Sequence, residues 1–420
     1  MTYVIILIVN LERVFKLTLK NIELEKAIKI INESVNPINS MENIKLKDGI
    51  GRILSKDYYA DIDNPPFDRS PLDGFALRSI DTLKANKDNP IDFKVIDTVY
   101  AGNVSNLELG KNECIRIMTG AKMPLGSDCV IRLEDVVEEN NSVKIDISLS
   151  QHENYVFKGE DIEKGDLLIE KNTKLNSVHL GILGSMGKGN IEVFKKPKIG
   201  ILGTGDELIP YNKQLTDGKI YDTNGTMIGG RLKELGYEHQ IIETSKDDPY
   251  IVGDTILDNI NNFDLILTTG GVSVGDKDIF HDVIDIINGD QKFWKVKIKP
   301  GTPVMYSLVK GKPILSLSGN PFAALTTFEL LGRPLISKLC KDETIKPKKV
   351  TGILENEFPK DSLKMRRFVR CLYKEGKVYL PESDHSSGKM LSMIDCNGIL
   401  DMKKGMKNLK TKDEIEVFLL

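Results

Sequence analysis

The sequence predicts a multidomain protein of the α/β plus β class, on three observations. Four apolar runs between residues 197 and 340 each end in a glycine-rich or acidic turn: "KIGILGTGDE", "HQIIETSKDD", "LILTTGGVSVGDKD" and "PILSLSGNP". Helical patterns such as "NGTMIGGRLKELG" and "DIFHDVIDIIN" lie between them. Strand, turn and helix in repetition make a parallel sheet. The flanking regions read differently. Residues 46–164 carry short β-type runs such as "FKVIDTVYAG" and "ECIRIMTGA", and residues 346–420 carry "YKEGKVYL" and an Asn397-Gly398 turn. Finally, 420 residues are enough for two to four separate cores.

Taken in order, the chain starts with "YVIILIV" (3–9), followed at once by Asn10, Glu12 and Arg13. A membrane span needs about 20 apolar residues, and the run has no basic start of the kind a signal peptide carries. It reads as a short strand or an extension, with residues 1–16 dispensable and no membrane role. Residues 21–35 place Leu24, Ala27, Ile28 and Ile31 at helical spacing, an amphipathic helix. "NSVHLGILGSMG" (176–187) reads as another apolar helix. The net charge of −3 argues against a nucleic-acid partner. Five cysteines lie far apart with no C-x-x-C, which fits neither a zinc site nor a disulfide framework and favours a reducing cytoplasm. No histidines pair at metal-ligand spacing, so His179 reads as structural or solvated.

In an open parallel sheet, ligands bind at the carboxyl ends of the strands. That edge collects Gly203, Gly205, Gly270, Gly271, Gly275 and Gly319, with six acids: Asp206, Glu207, Asp247, Asp248, Asp276 and Asp278. Glycine turns expose N–H groups to anionic oxygens. Carboxylates beside a phosphate repel it unless a hard cation lies between them, and Mg²⁺ takes one or two carboxylates plus phosphate. The edge therefore reads as a site for a phosphorylated ligand with Mg²⁺; the alternative is that each acid is a solvated helix cap. In "SLSGNPFAALTTFELL", Pro321 suits the first turn of a helix whose free N–H groups offer an anion site beside Gly319 and Asn320. Lys295, Lys297 and Lys299 alternate in "FWKVKIKPG" and share one face on a strand. That face is either exposed or, through Lys295 and Lys299, in contact with phosphate. In the β-rich region, the stiff loop "NPPFDRSPLDGFALR" presents Asp73, "RIMTGAKMP" presents Thr119, and "KGEDIEKGD" presents Asp161.

These segments recur together. "PPFDRSPLDGFALR", "RIMTGAKMPLGSD", "KGEDI", "TGDEL", "GKIYDTN", "GGVSVGDKD", "IKPG" and "GNP" stand in this order. From about residue 20 onward the chain resembles the molybdopterin molybdenumtransferases (MoeA and the E domain of gephyrin). The resemblance implies insertion of molybdate into adenylylated molybdopterin with Mg²⁺, releasing AMP and molybdenum cofactor. It implies a cytoplasmic homodimer whose clefts combine the α/β domain of one subunit with the β-rich domain of the other. It names as partners the adenylyltransferase that makes the substrate and the molybdoenzymes that receive the product. It also implies a discontinuous helical domain (17–45 and 165–195), a β-rich domain (46–164), a molybdopterin-binding α/β domain (196–345) and a barrel-like β domain (346–420).

Carried over by motif, the catalytic positions are Asp73, Thr119, Asp161, Glu207 and Asp278. The substrate-binding positions join Lys295, Lys299 and Pro321, carried over in the same way, to the turn residues Gly203, Gly205, Asp206, Gly270, Gly271, Ser273, Gly275, Gly319 and Asn320 of the sheet edge. The metal positions are Glu207, Asp247 and Asp278. Three residues depart from the family pattern: Ser318 stands where proline is usual, Thr302 where lysine is usual, and Val156 where arginine is usual. A non-catalytic dimeric scaffold that binds the pterin is the alternative these departures support.

Overall fold

The computed structural model describes residues 19–243, 246–272, 279–382 and 385–420. The apolar run 3–9 lies outside them. The chain forms two compact units, one from residues 1–42 with 194–420 and one from residues 43–193.

The first unit is built on a seven-stranded sheet. Its strands are β1 (Leu19–Ile22), β2 (Ile199–Gly203), β3 (His239–Ile242), β4 (Leu265–Thr269), β5 (Asp290–Val296), β6 (Met305–Val309) and β7 (Lys312–Leu317). They lie in the order β1-β5-β6-β7-β4-β2-β3. The four runs expected to be parallel are so: β7, β4, β2 and β3 pair in parallel register. The sheet as a whole is mixed, because β6 runs antiparallel to both β5 and β7.

Helices cover both faces. Against one lie α1 (Leu24–Ser34), α2 (Thr223–Glu234), α5 (Pro321–Thr327) and α6 (Arg333–Cys340), sharing a core with Ile201, Leu267 and Leu315. Against the other lie α3 (Pro249–Asn259) and α4 (Phe280–Ile286), packed on Leu202, Ile266 and Ile314. Leu24, Ala27 and Ile31, the spaced apolar positions of α1, are its buried residues. They enter the sheet core because β1, just before them, extends the sheet by pairing Leu19 with Phe293.

Helix α1 belongs to the α/β core. Met41–Lys45 pairs with Asn190–Phe194, and Tyr58–Tyr59 with Leu167–Ile169, beside a separate core. Leu54, Tyr58, Ile169, Leu183 and Val193 form that separate core.

A short π-helical turn, Phe328–Gly332, joins α5 to α6. It carries Glu329, fully buried between two arginines. Arg231 of α2 donates to it at 2.7 Å and Arg333 of α6 at 2.6 Å. Arg333 also donates to the Ile345 carbonyl at 2.6 Å, on the path to the last domain. There the strands Arg366–Lys374, Lys377–Tyr379, Lys349–Leu354, Glu414–Leu419 and Gly398–Met402 close into a five-stranded barrel. The hairpin in "YKEGKVYL" turns through Glu375 and Gly376, both at positive φ. Asn397 instead ends a connection, its side chain bonded to both main-chain polar groups of Tyr373.

The second unit holds a six-stranded sheet formed by segments between Gly74 and Ile145. A helix at Ser177–Ser185 follows the expected pattern. His179 has a structural role there. Its N–H donates to the Asn176 side chain, and its Nδ1 accepts from the Asn176 N–H, closing a capping box.

Candidate functional site

The parallel strands of the α/β unit bring their carboxyl ends to one edge. β2 runs out into Thr204 and Gly205, β4 into Gly270 and Gly271, and β7 into Ser318, Gly319 and Asn320. With Glu207, Asp247, Lys299, Pro300 and Thr302 these residues line a cleft of about 790 Å³. An adjoining pocket of about 550 Å³ shares Thr204, Glu207, Gly270, Gly319 and Asn320 with it and adds Pro321. The glycines are required by close approach. Gly270 has φ +91°, and a Cβ there would stand 2.5 Å from the Thr204 carbonyl oxygen. A Cβ on Gly205 would stand 2.6 Å from Glu207 Oε1, so glycine lets that carboxylate fold back over the turn.

The six acids of this edge separate by role. Asp248 caps α3, accepting from the N–H groups of Tyr250 and Ile251 at 3.0 and 3.1 Å. Asp206 ties two loops, its Oδ1 accepting from the Asp247 N–H at 3.0 Å. Glu207 and Asp247 line the cleft. Asp276 and Asp278 lie outside the described residues, as do Ser273 and Gly275. Gly203 faces a different groove, beside Tyr211 and His239.

The lysines do not share a face. Lys295 has φ +66°, which breaks the alternation of the strand. Its ammonium lies 3.9 Å from the centroid of Trp294, and the residue does not line the cleft. Lys297 pairs with Glu23 at 2.8 Å. Lys299 alone of the three lines the cleft.

Pro321 opens α5 as the sequence suggests, yet the helix start is less open than expected. The Phe322 N–H, one of the groups that a helix start leaves free, donates to the Ser387 carbonyl at 3.0 Å. Ser387 comes from a barrel segment that Arg370 holds in place. The Arg370 guanidinium donates to the carbonyls of Ser386 and Lys389 and to the Ser392 hydroxyl at 2.5 to 2.7 Å, and lies 4.4 Å from the Phe322 ring centroid. The barrel thereby brings Ser387 into the cleft wall and Gly388 and Met390 into the adjoining pocket. In the adjoining pocket, Asn224 donates from Nδ2 to the Gly319 carbonyl at 2.7 Å and pins the turn.

In the β-rich unit, Asp73 Oδ1 accepts from both the N–H and the hydroxyl of Thr119, each at 2.7 Å. These bonds, the N–H first, hold the exposed carboxyl below the usual carboxylate range, and the charge of Arg116 adds to them. Asp161 accepts from Asn64 Nδ2 at 3.0 Å. Two of the three departures, Thr302 and Ser318, line the cleft. Val156 exchanges main-chain hydrogen bonds with Arg69 at 2.9 and 3.0 Å.

The matches to known proteins cover nearly the whole chain. Residues 22–187 match the MoeA N-terminal region (domain I and II), and residues 200–338 the probable molybdopterin binding domain. A molybdopterin molybdenumtransferase of Staphylococcus aureus (strain COL) is 34% identical over 394 residues, 93% of this chain and 94% of the relative. The chain belongs to the MoeA family of molybdopterin molybdenumtransferases. It is a transferase of molybdenum cofactor biosynthesis. The enzyme of that name from Staphylococcus epidermidis (strain RP62A) is 33% identical, covering 95% of both chains. Two crystal structures of MoeA proteins from Pyrococcus horikoshii superpose with TM-scores of 0.83 and 0.79. They are 32% and 28% identical, cover 95% of this chain, and are themselves covered over 99% and 100% of their lengths. The family's layered architecture is therefore this chain's architecture.

Several lining residues escaped the reading by motif. Lys219 and Asn224 stand inside the quoted segment "GKIYDTN" but were not singled out there. Met365, Ser387 and Met390 come from the barrel, and nothing local in "DSLKM" or "SSGKML" marks them.

Proposed function

We propose that the cleft at the carboxyl edge of the α/β sheet inserts molybdate into adenylylated molybdopterin, releasing AMP and molybdenum cofactor. The observation that carries this reading is the convergence of Glu207, Asp247 and Lys299 with the Gly270-Gly271 and Gly319-Asn320 turns around one cleft. Lys299 supplies a cation for a phosphate oxygen, and the turns let backbone approach it closely.

Glu207 and Asp247 offer hard carboxylate oxygens, a donor set that fits Mg²⁺ when substrate phosphate and water complete the shell. Among the described residues no group of three His, Cys, Asp or Glu forms a metal cage of its own. Bound there, Mg²⁺ would supply charge neutralisation at the phosphate as AMP departs. Asp278 joins this set by motif. Asp73, kept ionised by Thr119, and Asp161 are assigned to the same reaction from the β-rich unit of the partner subunit, in a homodimer. A cytoplasmic setting suits such an enzyme; no helix among the described residues is long and apolar enough to cross a membrane.

The second reading, a pterin-binding scaffold without activity, draws on Thr302, a neutral side chain in the cleft wall at a position where the family pattern has lysine. The deciding experiment incubates the protein with adenylylated molybdopterin, Mg²⁺ and graded molybdate and follows AMP. Molybdate-dependent release of AMP supports the enzyme. Tight pterin binding with no AMP released supports the scaffold.

A further inference from the structure

The Gly270-Gly271-Val272 turn lines the cleft just beyond the end of β4, and it has little stiffness of its own. Both glycines stand at positive φ, +91° and +64°, and glycine gives up more conformational freedom on being fixed than any other residue. Groups outside the turn have to hold it. The Phe280 N–H donates to the Gly271 carbonyl at 3.2 Å, and the indole Nε1 of Trp294 donates to the Val272 carbonyl at 3.1 Å.

The second of these bonds depends on an irregularity in β5. Its pairing with β6 shifts register between Gln291 and Phe293, so that Gln291 lies opposite Ser307 and Trp294 opposite Met305. Strict alternation would put Gln291 and Trp294, three residues apart, on opposite faces. A bulge re-aims side chains, and here both meet His281 of α4. The imidazole Nδ1 and Gln291 Oε1 stand 2.9 Å apart in a hydrogen bond, and the imidazole meets the indole edge-on with ring centroids 4.3 Å apart. The ammonium groups of Lys295 and Lys20 lie 3.9 and 5.2 Å from the indole centroid. The ring is therefore held on several sides while its N–H reaches a cleft wall that Trp294 itself does not line. A half-buried indole N–H ordinarily finds an acceptor. This acceptor is the carbonyl that closes a soft, cleft-lining turn.

We infer that Trp294 is a positioning residue of the cleft: its indole N–H holds the Gly270-Gly271-Val272 turn in the form that lets backbone approach a phosphate oxygen. The inference rests on the reading of the cleft as the substrate site, and adds to it a residue that acts through the Val272 carbonyl.

Trp294 is the chain's only tryptophan, so its donor can be replaced atom for atom. Protein made by a tryptophan auxotroph on benzothienylalanine carries sulfur in place of the indole N–H and keeps the fused ring. Protein made on 5-fluorotryptophan keeps the N–H and gains a single fluorine resonance. Trp294→Phe removes the donor genetically and serves as the second variant.

All four forms are titrated calorimetrically with AMP in the presence of Mg²⁺, and the fluorine resonance is followed in parallel. The fluorinated form should bind AMP as wild type does, with its resonance shifting to the same saturation. The benzothienyl form and Trp294→Phe should lose about fivefold in affinity, the scale of one hydrogen bond. In molybdate-dependent AMP release, their KM for adenylylated molybdopterin should rise by a similar factor with kcat little changed, the mark of lost uniform binding.

Equal AMP affinity in the benzothienyl and wild-type forms would overturn the inference. So would a fluorine resonance that stays fixed while AMP binds, or the absence of AMP binding by wild type. An equal loss in the fluorinated form would overturn it too, by assigning the effect to ring shape rather than to the donor. Molybdate-dependent AMP release by wild type reports separately on the underlying reading: with release absent and the affinity losses present, that reading fails and the positioning role stands.

Discussion

The two units hold their candidate groups by different means. In the α/β unit the groups lining the cleft come from positions as far apart as Thr204 and Ser387, and they meet because parallel strands end at one edge and a barrel segment folds back over it. In the β-rich unit each carboxylate is fixed by a single partner residue in direct contact, Asp73 by Thr119 and Asp161 by Asn64. The first arrangement depends on distant braces. The second depends on single hydrogen-bonding partners, and at Asp73 those bonds also lower the pKa. A substitution far from the chemistry should therefore damage the first and spare the second, while a substitution beside a carboxylate should retune the second without loosening the fold.

The largest expected effect tests the brace. Glu329 is fully buried between Arg231 and Arg333, and Glu329→Ala takes the carboxylate from Arg333 and leaves Arg231 only its surface pair with Glu234. Breaking such a pair costs about 3–5 kcal/mol. The midpoint of urea unfolding should fall accordingly, and an unchanged midpoint would show that the cleft needs no remote support.

Next comes Glu207→Gln. The side chain is exposed at a turn, so stability should change by no more than roughly 0.5 kcal/mol. Molybdate-dependent AMP release should drop about 100-fold, the scale of one lost electrostatic partner. Activity near wild type would remove Glu207 from the proposed metal set.

The third prediction concerns pH. The folded-state pKa of Asp73 is depressed, so the carboxylate stays ionised as pH falls, until the pH drops through that lowered value. Its contribution to stability has the same sign, present above the unfolded value and lost below the folded one. Thr119→Val removes the hydroxyl donor but keeps the N–H, the larger cause. The acid limb of the activity profile should move upward, by less than full loss of the lowering. A limb that does not move would separate Asp73 from the reaction.

The smallest effect belongs to the barrel. Arg370→Lys keeps the charge but cannot reproduce the guanidinium's contacts to Ser386, Lys389 and Ser392. KM should rise several-fold with kcat little changed, and hydrogen exchange at the Phe322 amide should quicken. An unaltered KM would make the barrel segment a bystander.

The same contrast explains what could be read from the sequence. The strand–turn–helix rhythm was legible because three apolar runs end in glycine turns and the fourth in an acidic one, and Gly205, Gly270 and Gly319 do line the cleft. Charge alone did not reveal function. Asp248 proved a cap and Asp206 a loop tie, since a carboxylate before a helix or in a turn looks the same in sequence whether it faces a ligand or an N–H group. The alternation of Lys295, Lys297 and Lys299 failed for a backbone reason, the positive φ at Lys295. The placement of α1 depends on β1 completing the sheet at Phe293, and the barrel's share of the cleft on Arg370 holding a segment against Phe322. Long-range pairings of that kind leave no local pattern.

The central claim is that the two regions serve one reaction across a homodimer. Mixing Asp73→Ala subunits with Glu207→Ala subunits tests it most directly. Each parent should be nearly inactive. After verified subunit exchange, a heterodimer should carry one cleft with both residues intact, and the mixture should regain about a quarter of wild-type AMP release, because half of the dimers are mixed and each has one working site. A mixture as inactive as its parents, with exchange confirmed by mass, would contradict the claim.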